Sequence, residues 1–304
     1  MDFALPLSSP FNLDYTLDSG QVFRWRRKAE WWYGVVSGGV IKLKQEGEMI
    51  MGSSSNDQLG AAYVSSYFRL DDDLDHILAG VSKDAVITKA VERFYGLRLI
   101  RQDRWECLAS FVLATNANIP RIQKMVSELS ARYGREVWFE GEVYHAFPSP
   151  GDLADATVAG LRGCGLGYRA PFLKKVAKSV AQGKVDFQKV ASLPYEDSRR
   201  LLTSELFGEK VLLGVGPKVA DCVLLYAFGK DEAFPIDVWI ARAVSDSYPE
   251  LLSPSFRKRL HRDEKAKLSP KDYSAVSQSV RRYFGEYAGY AQQYLFMAVR
   301  ESGS

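Results

Sequence analysis

Leu212-Leu213-Gly214-Val215-Gly216-Pro217-Lys218-Val219-Ala220-Asp221 is the stretch that decides how this chain reads. Two glycines flank a valine, and a proline stands where a helix would begin. Glycine permits a positive φ and the close approach of another backbone. Proline in the first helical turn gives up no donor that the helix needs. The stretch therefore predicts a short hairpin over Val211–Gly216 that feeds a helix over Pro217–Phe228. N–H groups at such a helix start lack internal partners and point outward, which suits a phosphate. Gly214, Val215 and Gly216 are the candidate phosphate hairpin. A dinucleotide fingerprint fails here, since it needs a third glycine where Val219 stands. Gly163-Cys164-Gly165-Leu166-Gly167 fails in the same way at Tyr168, and neither segment follows a clear strand.

Upstream of the hairpin the chain changes character. Gln21–Arg27, Trp32–Val36, Val40–Gln45 and Met49–Ser53 are short runs rich in aromatic and β-branched residues, with polar or glycine-containing breaks. That is the pattern of an antiparallel meander. A helix over Leu59–Phe68 and an acidic, solvated loop over Asp71–Asp75 follow. From about residue 83 onward apolar residues recur at helical spacing. Helices are predicted over Asp84–Tyr95, Arg104–Thr115, Ile119–Tyr133, Asp152–Leu161, Tyr168–Gln182, Tyr195–Phe207, Val238–Ser247 and Tyr273–Arg300. The fold class expected is α+β, with an antiparallel β domain and flanking helices over 1–100 and a helical domain over 101–304.

Composition narrows the classes. The 304 residues are 46% hydrophobic and 25% charged, enough apolar material for a sizeable core. A net charge of +3 is compatible with a nucleic-acid partner without requiring one. Cys107, Cys164 and Cys222 are too few for an iron–sulfur cluster and too scattered for a zinc ribbon. His76, His145 and His261 are isolated, so no metal site is expected. No signal peptide and no membrane span is legible, and an intracellular, membrane-free protein is expected.

Lys218 falls in the first turn of its helix. A positive side chain there opposes the helix dipole, so packing alone gives no reason for it. Attack at carbon gives one, since covalent catalysis uses an amine without its proton. A lysine that merely touches phosphate fits the local pattern equally well. Asp237, after Phe234-Pro235-Ile236, reads as the cap of the helix over Val238–Ser247. A carboxylate at that place could also stabilise an oxocarbenium-like state, and the two roles are compatible.

The run from Leu212 to Cys222, followed nineteen residues after Lys218 by Asp237, resembles the signature of helix-hairpin-helix DNA glycosylases with a lysine nucleophile. Five further segments narrow the resemblance to the 8-oxoguanine DNA glycosylases. They are Leu17-Asp18-Ser19-Gly20-Gln21-Val22-Phe23-Arg24-Trp25, Thr115–Ile122, Tyr144-His145-Ala146-Phe147-Pro148, Gly165–Ala170 and Tyr287–Gln292. The resemblance implies two helical lobes after the β domain, with the active cleft between them. It implies a monomeric enzyme that needs no cofactor and acts on duplex DNA containing oxidised guanine. The damaged base leaves the stack, and Lys218 expels it with help from Asp237. A Schiff base then permits strand nicking by β-elimination. By the same resemblance the carbonyl of Gly20 reads the base at N7, Cys222 and Phe296 sandwich it, and Gln292 reads its polar edge. Asn116, Arg121 and Arg169 contact the opposite cytosine, and Tyr168 wedges the stack. Trp239 departs from the family, which has a histidine there, and Asn116-Ala117-Asn118 departs from its triple asparagine.

Two rival readings remain at this level. An alkyl-base glycosylase shares the fold but lacks the nucleophilic lysine. A DNA-binding helix-hairpin-helix module would need neither Lys218 nor Asp237.

Overall fold

Ser37 and Gly38 both have positive φ, 47° and 75°, the geometry of the tight turns that match strand twist. That turn joins the central strand of a five-stranded antiparallel sheet to one of its neighbours. In this computed structural model, which describes residues 1–206, 209–262 and 268–302, the sheet comprises β1 (Asp2–Pro6), β2 (Trp25–Lys28), β3 (Trp31–Val36), β4 (Gly39–Glu46) and β5 (Met49–Ser54). The order is β1-β5-β4-β3-β2, so the expected meander forms. β1 adds an edge that the periodicity did not reveal, because its residues alternate only between exposed and half-buried. Gly34 lies under the Trp25 ring across the β2–β3 pair, where a Cβ would meet the indole at 2.5 Å.

The predicted strand over Gln21–Arg27 is shorter than expected. Gln21 has its side chain and carbonyl engaged elsewhere: its amide donates to Arg98 O at 2.8 Å, Oε1 accepts from Ile100 N–H at 2.9 Å, and its carbonyl accepts from Gln102 at 2.7 Å. Only Trp25–Lys28 remains for the ladder. The acidic loop over Asp71–Asp75 is not merely solvated. Asp72 binds Arg69 at 2.6 Å, and Asp73 caps a helix over Leu74–Val81.

Beyond the sheet the chain is helical, as expected, with several corrections. The helix read over Asp152–Leu161 is two, Pro150–Asp155 and Val158–Gly163, because Ser149 and Thr157 each cap a new start. The run over Tyr273–Arg300 breaks at Gly285, φ +82°, into Pro270–Phe284 and Ala288–Ser302. The helix from Tyr195 ends at Thr203, and its expected end, Phe207, lies outside the described residues. A two-stranded hairpin, Glu136–Phe139 with Glu142–His145, also forms where no strand was read.

A large apolar core spans the helical part, and a smaller one lies between the sheet and the helix of Ala61–Tyr67. Arg69 joins the parts: its guanidinium takes both oxygens of Asp231 at 2.7 and 2.6 Å. Asp231 O also accepts from Gly289 N–H at 2.7 Å. The loop that carries the chain from the Pro217–Phe228 helix toward Asp237 is thereby pinned to both the N-terminal domain and the C-terminal helix. Among the described residues no helix is long and apolar enough to cross a membrane, and no group of three His, Cys, Asp or Glu is placed to hold a metal ion.

Candidate active site

The hairpin forms where expected. Gly214 takes a φ of +85°, and its missing Cβ would meet the Phe172 ring at 3.2 Å. Val215 N–H closes the turn onto Leu212 O at 3.1 Å, and its side chain is buried in the core. Val215 therefore anchors the hairpin, and its N–H is not among the outward ones. Gly216 caps the lysine helix (Pro217–Phe228) without any side-chain bond, and Pro217 begins it. The first helical bond here runs from Ala220 N–H to Gly216 O, which leaves the N–H groups of Lys218 and Val219 ahead of the ladder. Nothing stands within 4 Å of a Cβ built on Gly216.

Lys218 points into a cleft of about 770 Å³. Its Nζ sits 5.4 Å from the centroid of the Phe111 ring. Cys222, one turn on, shares that wall. Burial pushes the Cys222 thiol up to about 11, against the downward pull of Lys218. At neutral pH it therefore stays a thiol, a flat apolar surface rather than a competing nucleophile. Asp237 also acts on that thiol, pushing it upward, so both candidate catalytic groups sit around Cys222. The carboxylate caps the aspartate helix (Val238–Ser247) as expected, accepting from Ile240 N–H at 2.8 Å.

The other walls come from distant parts of the chain. Gly20, Gln292 and Phe296 line the same cleft. Gly20 has φ +81°, and a Cβ there would stand 2.9 Å from Ile119 Cδ1 and 3.3 Å from Phe296 Cε1. Its backbone is held on both sides. Gln293, bonded to Tyr226, donates to Ser19 O at 3.0 Å, while Gln21 is tied to residues 98–102. Gln292 is 5% exposed, and its Oε1 is buried with no protein partner.

The three residues assigned to the opposite base and the wedge Tyr168 part company. Asn116 and Arg121 line the cleft mouth and are exposed. Asn116 adopts φ +55°, unusual for a residue with a side chain. Tyr168 and Arg169 are not on the cleft wall. Arg169 is 1% exposed and faces inward, with Nε and Nη2 donating to Thr115 O at 2.9 and 2.5 Å and Nη2 to Asn116 O at 2.8 Å. Tyr168, 49% exposed, covers this fork: its ring lies 4.5 Å from the guanidinium, and its hydroxyl donates to Thr115 O. In this state Arg169 holds the Asn116 turn, and its Nη1 is buried without a partner.

Residues that the sequence did not flag complete the site. Phe111 lies under the lysine, and Tyr273 joins the wall from the helix of Pro270–Phe284. Neither has a sequence spacing to Lys218 that could have marked it. Trp239, the departure from the family histidine, is 54% exposed at the cleft rim, with Arg242 5.6 Å from its ring.

Comparison with known proteins agrees with this architecture. Residues 4–108 match the family model of the 8-oxoguanine DNA glycosylase N-terminal domain. Residues 109–251 match that of the HhH-GPD superfamily of base excision DNA repair proteins. A probable N-glycosylase/DNA lyase of Methanothermobacter thermautotrophicus is 33% identical over 241 residues, covering 73% of this chain and 69% of the relative. The N-glycosylase/DNA lyase of Saccharomyces cerevisiae is 31% identical over 92% of this chain and 81% of its own length. The solved Clostridium acetobutylicum 8-oxoguanine glycosylase/lyase, in complex with double-stranded DNA containing cytosine opposite 8-oxoG, is similar with a TM-score of 0.84. It has 30% identity and covers 97% of this chain and 93% of that one. The chain therefore belongs to the 8-oxoguanine DNA glycosylase family of the HhH-GPD base excision repair superfamily, a family of bifunctional N-glycosylase/DNA lyases.

Proposed function

We propose that this protein removes 8-oxoguanine paired with cytosine from duplex DNA and then nicks the strand, with Lys218 as nucleophile. The observation that carries the reading is one cleft that gathers Lys218, Asp237, Cys222, Gln292, Phe296 and Gly20 from four separate parts of the chain. A base turned out of the helix fits between an aromatic ring and a neutral thiol, here Phe296 and Cys222. The buried, unpartnered Oε1 of Gln292 is an acceptor that a base N–H would satisfy. The carbonyl of Gly20 would accept the N7–H of 8-oxoguanine, whereas guanine has a lone pair at N7. One such bond separates two bases of nearly the same shape, because the wrong one leaves a buried acceptor unpaired.

The reaction uses this chain's own groups. The lone pair of the Lys218 amine forms a bond to the anomeric carbon as the glycosidic bond breaks. The bonding electrons leave with the base, which takes up a proton. The positive charge that develops on the sugar is stabilised by Asp237, which also orients the amine and accepts its proton. Ring opening gives the Schiff base of Lys218. Loss of a C2′ proton then expels the 3′ phosphate, and water hydrolyses the imine to free the lysine. The open N–H groups at Lys218 and Val219 and the empty space beside Gly216 offer a place for a strand phosphate. Asn116 and Arg121 at the mouth face the unpaired cytosine, with Arg169 supporting their turn.

Borohydride trapping tests the assignment. Wild-type protein should form a covalent adduct with a duplex carrying one 8-oxoguanine opposite cytosine, and Lys218→Gln should form none. An adduct with Lys218→Gln, or none with the wild type, defeats the mechanism.

A further inference from the structure

Asp221 follows Lys218 by three positions on the lysine helix but turns away from the cleft and is fully buried. Both of its oxygens are taken. The Tyr195 hydroxyl donates to Oδ1 at 2.7 Å, and the Tyr273 hydroxyl donates to Oδ2 at 2.6 Å. Arg199 Nε lies 3.2 Å from Oδ1. The cage is closed by cations on the tyrosine rings: Arg281 is 4.0 Å from the centroid of Tyr195, and Arg199 is 5.3 Å from that of Tyr273. Burying a carboxylate is costly, and packed apolar residues of similar volume often serve stability as well.

Tyr273 carries the network further. Its hydroxyl donates to Asp221 and accepts from the Ile236 N–H at 3.2 Å. Ile236 immediately precedes Asp237. Two consecutive hydrogen bonds thus run from the helix that bears Lys218 to the residue beside Asp237. Tyr195 holds the same carboxylate from the other side but makes no bond to the Asp237 segment. Reaction between aligned groups is sensitive to small displacements, since an error of about 1 Å can cost about a hundredfold in rate.

We propose that Tyr273, held in place by Asp221, is a positioning residue that sets the lysine helix and the Asp237 segment in register. The inference rests on the roles assigned above to Lys218 and Asp237. It separates two tyrosines that each donate to Asp221, of which Tyr273 lines the cleft and bonds to Ile236.

The test compares Tyr273→Phe with Tyr195→Phe, each losing one hydroxyl. Single-turnover excision, the Kd for a catalytically unprocessed damaged duplex, and Tm are measured for both beside the wild type. Tyr273→Phe should slow excision roughly tenfold with Kd within about twofold. Tyr195→Phe should excise within about twofold of the wild type, although both variants lower Tm. The role is overturned if Tyr273→Phe excises at the wild-type rate, if its loss lies in Kd, or if Tyr195→Phe slows excision equally. Asp221→Asn keeps the volume and is the second arm: it too should lose rate at unchanged Kd, and it decides the matter if Tyr273→Phe does not fold. Wild-type trapping distinguishes the two levels. No wild-type adduct defeats the underlying reaction and this inference with it, whereas a trapping wild type with an unimpaired Tyr273→Phe defeats only the positioning role.

Discussion

Replacing Asp237 separates two jobs that one carboxylate performs. As a cap it accepts the Ile240 N–H at 2.8 Å. Asparagine caps a helix about as well as aspartate, so Asp237→Asn should change stability by less than roughly 0.5 kcal/mol. Asp237→Ala loses the cap and should cost about 1 kcal/mol, a Tm decrease of roughly 2–4 °C in a chain of this size. The charge matters to the reaction on a larger scale. Removing one preorganised electrostatic partner of a developing charge costs about 10²–10³ in rate, near 3–4 kcal/mol. The two effects therefore differ by several kcal/mol and are separable in one series. Single-turnover excision should fall about 10²–10³-fold in both variants. Damaged-duplex Kd should stay within about twofold for Asp237→Asn, and only Asp237→Ala should melt clearly earlier. If Asp237→Asn excises at the wild-type rate, or loses rate only in step with lost structure, the carboxylate is a cap and nothing more.

Three further outcomes follow from the geometry. Gly20→Ala places a Cβ 2.9 Å from Ile119 Cδ1 and 3.3 Å from Phe296 at a φ of +81°; the backbone penalty is about 1–2 kcal/mol, and calorimetry should show a Tm lower by a few degrees. Because Phe296 must also give way, affinity for damaged duplex should fall more than affinity for undamaged duplex, and equal losses would detach Gly20 from base recognition. Arg121→Ala should leave Tm unchanged and weaken the preference for cytosine opposite the lesion, whereas Arg169→Ala should lower Tm as well, since it frees the Thr115 and Asn116 carbonyls. Equal Tm for the two variants would argue against the clamp. The Asp221 carboxyl is raised to about 6, by burial first, against the downward pulls of Arg199, Tyr273, Tyr195 and Arg281. The folded protein thus keeps a proton that the unfolded chain releases near pH 4, so this group's contribution to stability is greatest at low pH and is lost as pH rises through about 6. Asp221→Asn removes that dependence, so urea unfolding at pH 4.5 and 7.5 should show the variant gaining about 2 kcal/mol relative to the wild type at the higher pH; a constant difference would refute the buried titration.

What the sequence disclosed depended on how local the cause was. The hairpin and its helix were readable because Gly214, Pro217 and the Asp237 cap act through their own backbone, within a few residues. The meander was readable for the same reason, through its alternation and its Ser37-Gly38 turn. Long-range packing leaves no such trace. The strand over Gln21–Arg27 is cut short by side-chain bonds to residues about eighty positions away. Arg169, beside an exposed tyrosine at a helix start, reads as a solvated cation; only the fold shows its guanidinium turned inward onto the Thr115 and Asn116 carbonyls. The resemblance assigned it to the opposite base, and the geometry adds that reaching a base would mean giving up three bonds to that turn. Asp221 is the extreme case. In the sequence it is one more acidic residue three positions past a lysine, where a solvated carboxylate is the ordinary expectation. Its burial is decided by Tyr195 and Arg199 on one helix and Tyr273 on another, none of which carries a periodic signal. A residue whose purpose is to hold two distant segments together is legible only when both segments are in place.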